Sequence, residues 1–174
     1  MKVIDCKQGS AEWLHERAGR VTASKVCDVM AMLKKGGESA ARANYRIQIV
    51  AEILTGSCAD SFVTGPMEWG IEQEKFARAA YQMHTDNDVD QVGFIVHPAI
   101  DRAGASPDGL IGSDGGLEIK CPNTTTHIKW LLAGEVPEEH RAQMYFNMAC
   151  AERDWWDFAS YDPRLPEHLQ LFTA

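Results

Sequence analysis

Apolar residues recur with a helical period through the first half of the chain. From Ser10 to about Arg17 the pattern predicts a short helix capped by the Ser10 hydroxyl, with Trp13 and Arg17 four apart on one face. Gly19-Arg20-Val21 ends it, and Thr22 is placed to cap a second helix with the apolar stripe Val26, Val29, Met30 and Leu33. Past the basic turn Lys34-Lys35-Gly36-Gly37, a third helix is expected from about Ser39 to Leu54. Its inward face would be Ile47, Val50, Ala51 and Leu54, with Gly56 just beyond its end. Ser57 to Pro66 reads as loop, and about Met67 to Met83 as a fourth helix.

The second half changes character. Gln91 to His97 is apolar and β-branched, as a strand requires, and Pro98 follows it. Gly109-Leu110-Ile111-Gly112 and Leu117-Glu118-Ile119-Lys120 flank Ser113-Asp114-Gly115-Gly116, which has the composition of a hairpin turn. A short helix from about His127 to Ala133 precedes another opened by Pro137 and running to about Ala151. Asp154 to Tyr161 and His168 to Phe172 read as further strands. Helices first, then strands with helices interposed, predict a single α/β domain over 1–174, a mixed β-sheet flanked by helices and preceded by N-terminal helices.

The hairpin carries the chemistry. Side chains two apart on a strand share a face, so Glu118 and Lys120 reach one site while Ile119 packs behind. An even, two-residue turn at Asp114-Gly115 would put Asp108 on the opposite face. A three-residue turn from Ser113 to Gly115, with Gly115 left-handed, pairs Leu110 with Glu118 and Asp108 with Lys120, and brings all three to one side. Two acids and a lysine so placed suit metal-assisted phosphodiester hydrolysis. A divalent cation lowers the pKa of bound water, and the lysine orients that water or stabilises the transition state. Cys121-Pro122 ends the strand abruptly.

Composition narrows the alternatives. Five cysteines at scattered positions make neither a disulfide framework nor a Cys-x-x-Cys site. The histidines lack zinc spacing, and no Gly-x-Ser-x-Gly is present. No apolar run approaches the roughly 20 residues of a membrane span, and the N-terminus lacks a secretory core, so a reducing cytoplasm is expected and no membrane partner. The net charge of −8 hides an asymmetry: nine basic residues against five acids over residues 1–50, eight against twenty over the remainder. A basic third joined to an acidic rest suits a protein that grips phosphates with one part and metal with another.

Secondary constellations agree with this chemistry. Thr22-Ala23-Ser24-Lys25, at a helix start, offers backbone N–H groups, hydroxyls and a cation to a phosphate, and Arg17 would complete the pocket. Helix four carries Glu68, Glu72 and Glu74, and pattern alone does not choose which of them supplies a further carboxylate. Gln143, one turn before Asn147, offers an amide to water or phosphate.

From about Gln8 to Phe172 the chain resembles the lambda-type phage exonucleases, the YqaJ-type viral recombinase domains of the PD-(D/E)xK nuclease superfamily. The matching motifs, in order, are Trp13 with Arg17; Val21-Thr22-Ala23-Ser24; Trp69-Gly70 with Glu74; Ser106-Pro107-Asp108-Gly109-Leu110; Leu117 to Pro122; Ala142-Gln143; and Tyr161-Asp162-Pro163-Arg164. The resemblance implies a restriction-endonuclease-like core. It implies that Asp108, Glu118 and the Ile119 backbone carbonyl bind Mg²⁺, with Mn²⁺ able to substitute, and that Lys120 positions the attacking water. Glu74 corresponds to the family's helix carboxylate and Gln143 to its active-site glutamine. Arg17, Ser24 and Ser106 correspond to residues that receive the 5′-phosphate of a duplex end.

Similar proteins degrade the 5′-ended strand of double-stranded DNA and leave a 3′ single strand to a partner annealing protein, in the cytoplasm of a bacterial host. Family members continue past the last strand into a further helix, whereas this chain stops at Leu171-Phe172-Thr173-Ala174. The family's homotrimer is therefore expected only so far as that helix is dispensable. Two other readings remain at this point. One is an endonuclease of the same superfamily. The other is a non-catalytic protein that binds DNA ends, against which the intact acid–acid–lysine set speaks.

Overall fold

The computed structural model describes residues 1–59 and 64–174. In chain order its elements are β1 (Lys2–Ile4), α1 (Ala11–Arg17), β2 (Val21–Thr22), α2 (Val26–Met30), α3 (Ala40–Thr55), α4 (Gly65–Thr85), β3 (Val89–Asp90), β4 (Phe94–Val96), β5 (Ala103–Ala105), β6 (Gly109–Ile111), β7 (Gly115–Lys120), α5 (Thr124–Ala133), α6 (Glu138–Ala151), β8 (Asp157–Tyr161) and β9 (Leu171–Thr173). The expected mixed α/β class is what the chain adopts. Part of the expected loop from Ser57 to Pro66 lies outside the described residues. Among those described, no helix is long and apolar enough to cross a membrane.

The residues group into two units, each discontinuous in sequence. One comprises Met1–Asp60, Val92–Pro107 and Ala142–Glu152. Its sheet runs β1-β4-β5-β2, with β2 parallel to β5 and the other pairs antiparallel. Strands β1, β2 and β5 are two or three residues long, too short to show a hydrophobic period, and sequence reading passed over them. Cys6, Phe94 and Val96 form its small core, with Ile4 and Trp13 against it. Gly104 is required there: a Cβ would stand 2.3 Å from the Phe94 ring.

Two helices of this unit depart from their predicted faces. The second helix stops at Met30, because the chain turns back through Gly36 and Gly37 and bridges Met32 to Glu38; Met30 and Leu33 are exposed. In α3, capped by Ser39 and ended by left-handed Gly56 as expected, Ile47, Val50, Ala51 and Leu54 all face outward. The buried residues are Tyr45 and Glu52. The Tyr45 hydroxyl accepts from Thr22 N at 3.3 Å, and the Glu52 carboxylate accepts from Gly19 N at 2.9 Å, Gln48 Nε2 at 2.8 Å and Ala59 N at 3.1 Å. Polar groups that cap otherwise unpaired backbone N–H groups set the rotation of this helix, and the apolar stripe yields.

The other unit comprises Ser61–Gln91, Asp108–Arg141 and Arg153–Ala174. Its sheet runs β3-β6-β7-β8-β9, parallel only between β7 and β8, with α5 and α6 in the connection between those two. Asn123 caps α5 through Thr126 N, and left-handed Gly134 ends it. One sheet face packs on α4: Ala77 and Tyr81 meet Ile111, Leu117, Ile119, Ala159 and Tyr161. The buried Tyr81 hydroxyl donates to Asp157 Oδ2 at 2.5 Å.

The hairpin turn has the predicted odd length but a different register. Ile111 pairs with Gly115 and Gly109 with Leu117, so the turn is Gly112-Ser113-Asp114, and its left-handed residue is Gly112 rather than Gly115. Continued by one residue, this register sets Asp108 opposite Glu118 instead of Lys120. A slip of two residues keeps every side chain on its face, so the three still share one side. The physical reason lies in the glycines that looked like turn residues. A Cβ on Gly115 would lie 2.1 Å from the Trp155 ring, and one on Gly116 would lie 2.2 Å from the Trp156 ring. Both glycines belong to β7 because the two indoles occupy the space that a side chain there would need.

Gly116→Ala is therefore expected to destabilise this unit by about 2 kcal/mol, an overpacking cost. Urea denaturation measures it, and an unchanged midpoint would mean that the Trp156 ring is free to move aside.

Candidate active site

β7 ends with its polar side chains turned to the face opposite the α4 contact. Glu118 is only 1 % exposed, yet it is an acid, and Lys120 Nζ donates to its Oε1 at 2.5 Å. Asp108, just before β6, accepts from the Ile119 backbone N at 2.6 Å through Oδ2. The carboxylate thus spans the two strands at the level of Glu118. From α4, Glu74 pairs with Arg78 one turn on, and Arg78 Nε donates to the Asp108 carbonyl at 3.2 Å. Arg78 is buried, and sequence reading did not single it out; the signal was the four-residue spacing from Glu74. Glu72 is exposed, whereas Glu74 is half-buried.

The charges act on one another. Burial, then the Asp108 charge, pushes the Glu74 carboxyl above its ordinary value, against the pull of Arg78 and Lys120. Burial likewise raises Asp108, although Lys120, the Ile119 N–H and Arg78 hold it down in part. Burial would lower Lys120, but Glu118, Asp108 and Glu74 outweigh it and keep the ammonium protonated. Three acids, Asp108, Glu118 and Glu74, face two cations, Lys120 and Arg78, so one negative charge is left over.

This donor set fits a hard divalent cation. Asp108, Glu118 and the Ile119 carbonyl offer oxygen alone, and added positive charge would favour the ionised forms that burial disfavours at Asp108 and Glu74. Among the described residues no three His, Cys, Asp or Glu side chains form a ready-made metal cage.

The other unit holds the three residues expected to receive a phosphate. Arg17 is half-buried and lies over the Trp13 ring, 4.2 Å from its centroid. Its Nη2 donates to Thr22 Oγ1 at a long 3.5 Å, and Thr22 Oγ1 lies 3.4 Å from Ser24 Oγ. Trp13 Nε1 donates to Ser106 Oγ at 2.8 Å. Trp13 and Thr22 therefore tie Arg17, Ser24 and Ser106 into one group. Thr22 reaches it from β2; it holds the N-cap position of the 3-10 turn Ala23–Lys25 that leads into α2, but its side chain makes no capping hydrogen bond. Burial lowers Arg17 from its ordinary value without discharging it, and among the described residues it has no carboxylate ion pair. Gln143 lies half-buried on α6 in this same unit.

The family model of the YqaJ-like viral recombinase domain matches residues 12–154. Two crystal structures of an alkaline exonuclease (LHK-Exo) from Laribacter hongkongensis, one in complex with dAMP, are similar at 45 % identity and a TM-score of 0.86. The match covers 95 % of this chain and 80 % of theirs. A phage-related exonuclease from Haemophilus somnus 129PT shares the fold at 13 % identity, with a TM-score of 0.66 over 89 % of this chain and 82 % of that one. No curated protein matches the chain.

The raised carboxyls make a stability prediction. The native Asp108 carboxyl binds its proton at a higher pH than the unfolded one, so its contribution is fully present at low pH and is lost as pH rises through the native pKa. Above that pH the buried carboxylate is a cost. Asp108→Asn should therefore raise the thermal midpoint in chelator by a few degrees, and the gain should shrink as pH falls. A lower midpoint at neutral pH would contradict this electrostatic account.

Proposed function

The chain belongs to the YqaJ-like viral recombinase family, and on that footing we propose that it is a Mg²⁺-dependent exonuclease of phage-type recombination. It hydrolyses the 5′-ended strand of duplex DNA from 5′-phosphorylated ends. The observation that carries this reading is the convergence of Asp108, Glu118 and Lys120 with Glu74 in one electrostatically coupled group. Similarity to an alkaline exonuclease supports it, and the dAMP complex of that protein supports a mononucleotide product.

Asp108, Glu118 and the Ile119 carbonyl hold the cation. Mg²⁺, when bound, lowers the pKa of water and offsets charge on the phosphate, and Mn²⁺ substitutes. Lys120 is kept protonated by three acids, so it acts as a donor: it orients the attacking water and stabilises the oxygens of the pentacovalent transition state. Glu74, fixed by Arg78, accepts a hydrogen bond from that water, and Gln143 supplies an amide to the strand. Water oxygen bonds to phosphorus and passes its proton to the Glu74 carboxylate as the P–O3′ bond breaks; the departing 3′ oxygen takes a proton from solvent, and a 5′-mononucleotide leaves. Arg17, Ser24 and Ser106 receive the terminal 5′-phosphate, which selects the end and the polarity. The remaining 3′ strand passes to a single-strand annealing protein, and homotrimerisation would add processivity.

Asp108→Ala should lower cleavage of linear duplex in Mg²⁺ by more than about 100-fold. End-labelled DNA measures it, and near-normal activity would refute the reading. Closed circular duplex should resist the protein, since an exonuclease needs an end; nicking of circles would mark an endonuclease instead. Arg17→Ala should narrow the preference for 5′-phosphate over 5′-hydroxyl ends by about tenfold, the strength of one charge-assisted contact.

A further inference from the structure

The aromatic cluster on β8 contains a group that the proposed reaction leaves idle. His140, in the first turn of α6, stacks on Phe158 with ring centroids 5.4 Å apart and 19° between planes. The Trp130 ring meets its edge at 5.3 Å and 84°. Phe158 is the register partner of Glu118 across the parallel β7–β8 pair, and Ser160 is that of Lys120. Partners in a ladder project from the same side of a sheet, so Phe158 carries the imidazole on the face that bears Glu118 and Lys120.

Three further observations separate His140 from an ordinary core aromatic. It is half-buried, not enclosed. Neither ring nitrogen is taken up by a hydrogen bond among the described residues, although His140 packs on two rings. Burial, then the Lys120 charge, holds its pKa down to about 4 against the smaller opposite effect of Glu139, so the ring is neutral at physiological pH. A neutral imidazole offers one N–H donor and one acceptor. Its plane is fixed by the stack, so little freedom is lost when it meets a partner.

We infer that the His140 imidazole is a further DNA-contacting group of this site, donating its N–H to a phosphate oxygen of the strand addressed by Asp108, Glu118 and Lys120. The inference rests on the nucleolytic reading above and adds a residue to it. Phosphate oxygens are the commonest acceptors that DNA presents, and a neutral donor reaches them without competing with Lys120 or repelling it.

The test compares wild type, His140→Phe and His140→Asn in binding a fluorescent, 5′-phosphorylated duplex in chelator. Phe keeps the packing on Phe158 and Trp130 but has no N–H; Asn gives up the ring and keeps a donor. The Phe variant should bind about 5- to 10-fold more weakly, as the loss of one hydrogen bond to a charged group implies, with its thermal midpoint unchanged or higher. The Asn variant should recover part of that loss despite a lower midpoint. Wild-type affinity in the Phe variant overturns the assignment, as does an Asn variant that is folded and binds no better than Phe. Failure of the nucleolytic reading looks different: duplex bound with the same ranking of variants, yet left uncut by wild type in Mg²⁺.

Discussion

The ion pair between Lys120 and Glu118 sits where a lone carboxylate would be costly. Glu118 is 1 % exposed, and an ionised acid that deep costs several kcal/mol unless a cation answers it. Lys120 answers it at 2.5 Å, but Asp108 and Glu74 press on the same ammonium. Lys120 and Arg78 together cannot neutralise three acids. Burial raises both the Asp108 and the Glu74 carboxyls, and the Asp108 charge adds to the effect at Glu74.

The scaffold exists to hold that imbalance in place. Leu117 and Ile119 anchor β7 through the α4 contact, so the alternate residues Glu118 and Lys120 have only the other face. The indoles of Trp155 and Trp156 lie on Gly115 and Gly116 and lock the strand against slipping. The Ile119 N–H, a backbone group of the same strand, fixes Asp108. Each device is a packing or hydrogen-bond constraint remote from any chemistry, and together they set the positions of three charges.

The other unit solves a complementary problem. Arg17 is kept half-buried by the Trp13 ring and is given only a long hydroxyl contact. One unit thus gathers three acids around Lys120 and Arg78, and the other holds Arg17 with no carboxylate ion pair among the described residues. The charge asymmetry along the sequence, basic over residues 1–50 and acidic beyond, is the coarse image of this division.

Local chemistry was legible in the chain. The Ser10 cap, the start of α3 at Ser39 and its stop at Gly56 act through neighbours one turn away, and α1 and α3 begin or end at them, whereas the Asn123 cap that starts α5 ahead of the expected His127 went unread. The alternation that places Glu118 beside Lys120, and the odd turn that brings Asp108 to their side, are likewise properties of parity. Tertiary structure decided what parity and period leave open. The hairpin register depended on two tryptophans forty residues downstream of the turn, and the rotation of α3 on the needs of Gly19 and Thr22 for hydrogen-bond partners. The burial of Arg78 and the stacking of His140 on Phe158 likewise join residues that no local pattern links. A sequence displays its nearest neighbours; which distant groups must share the inside of the protein is fixed only when the chain closes on itself.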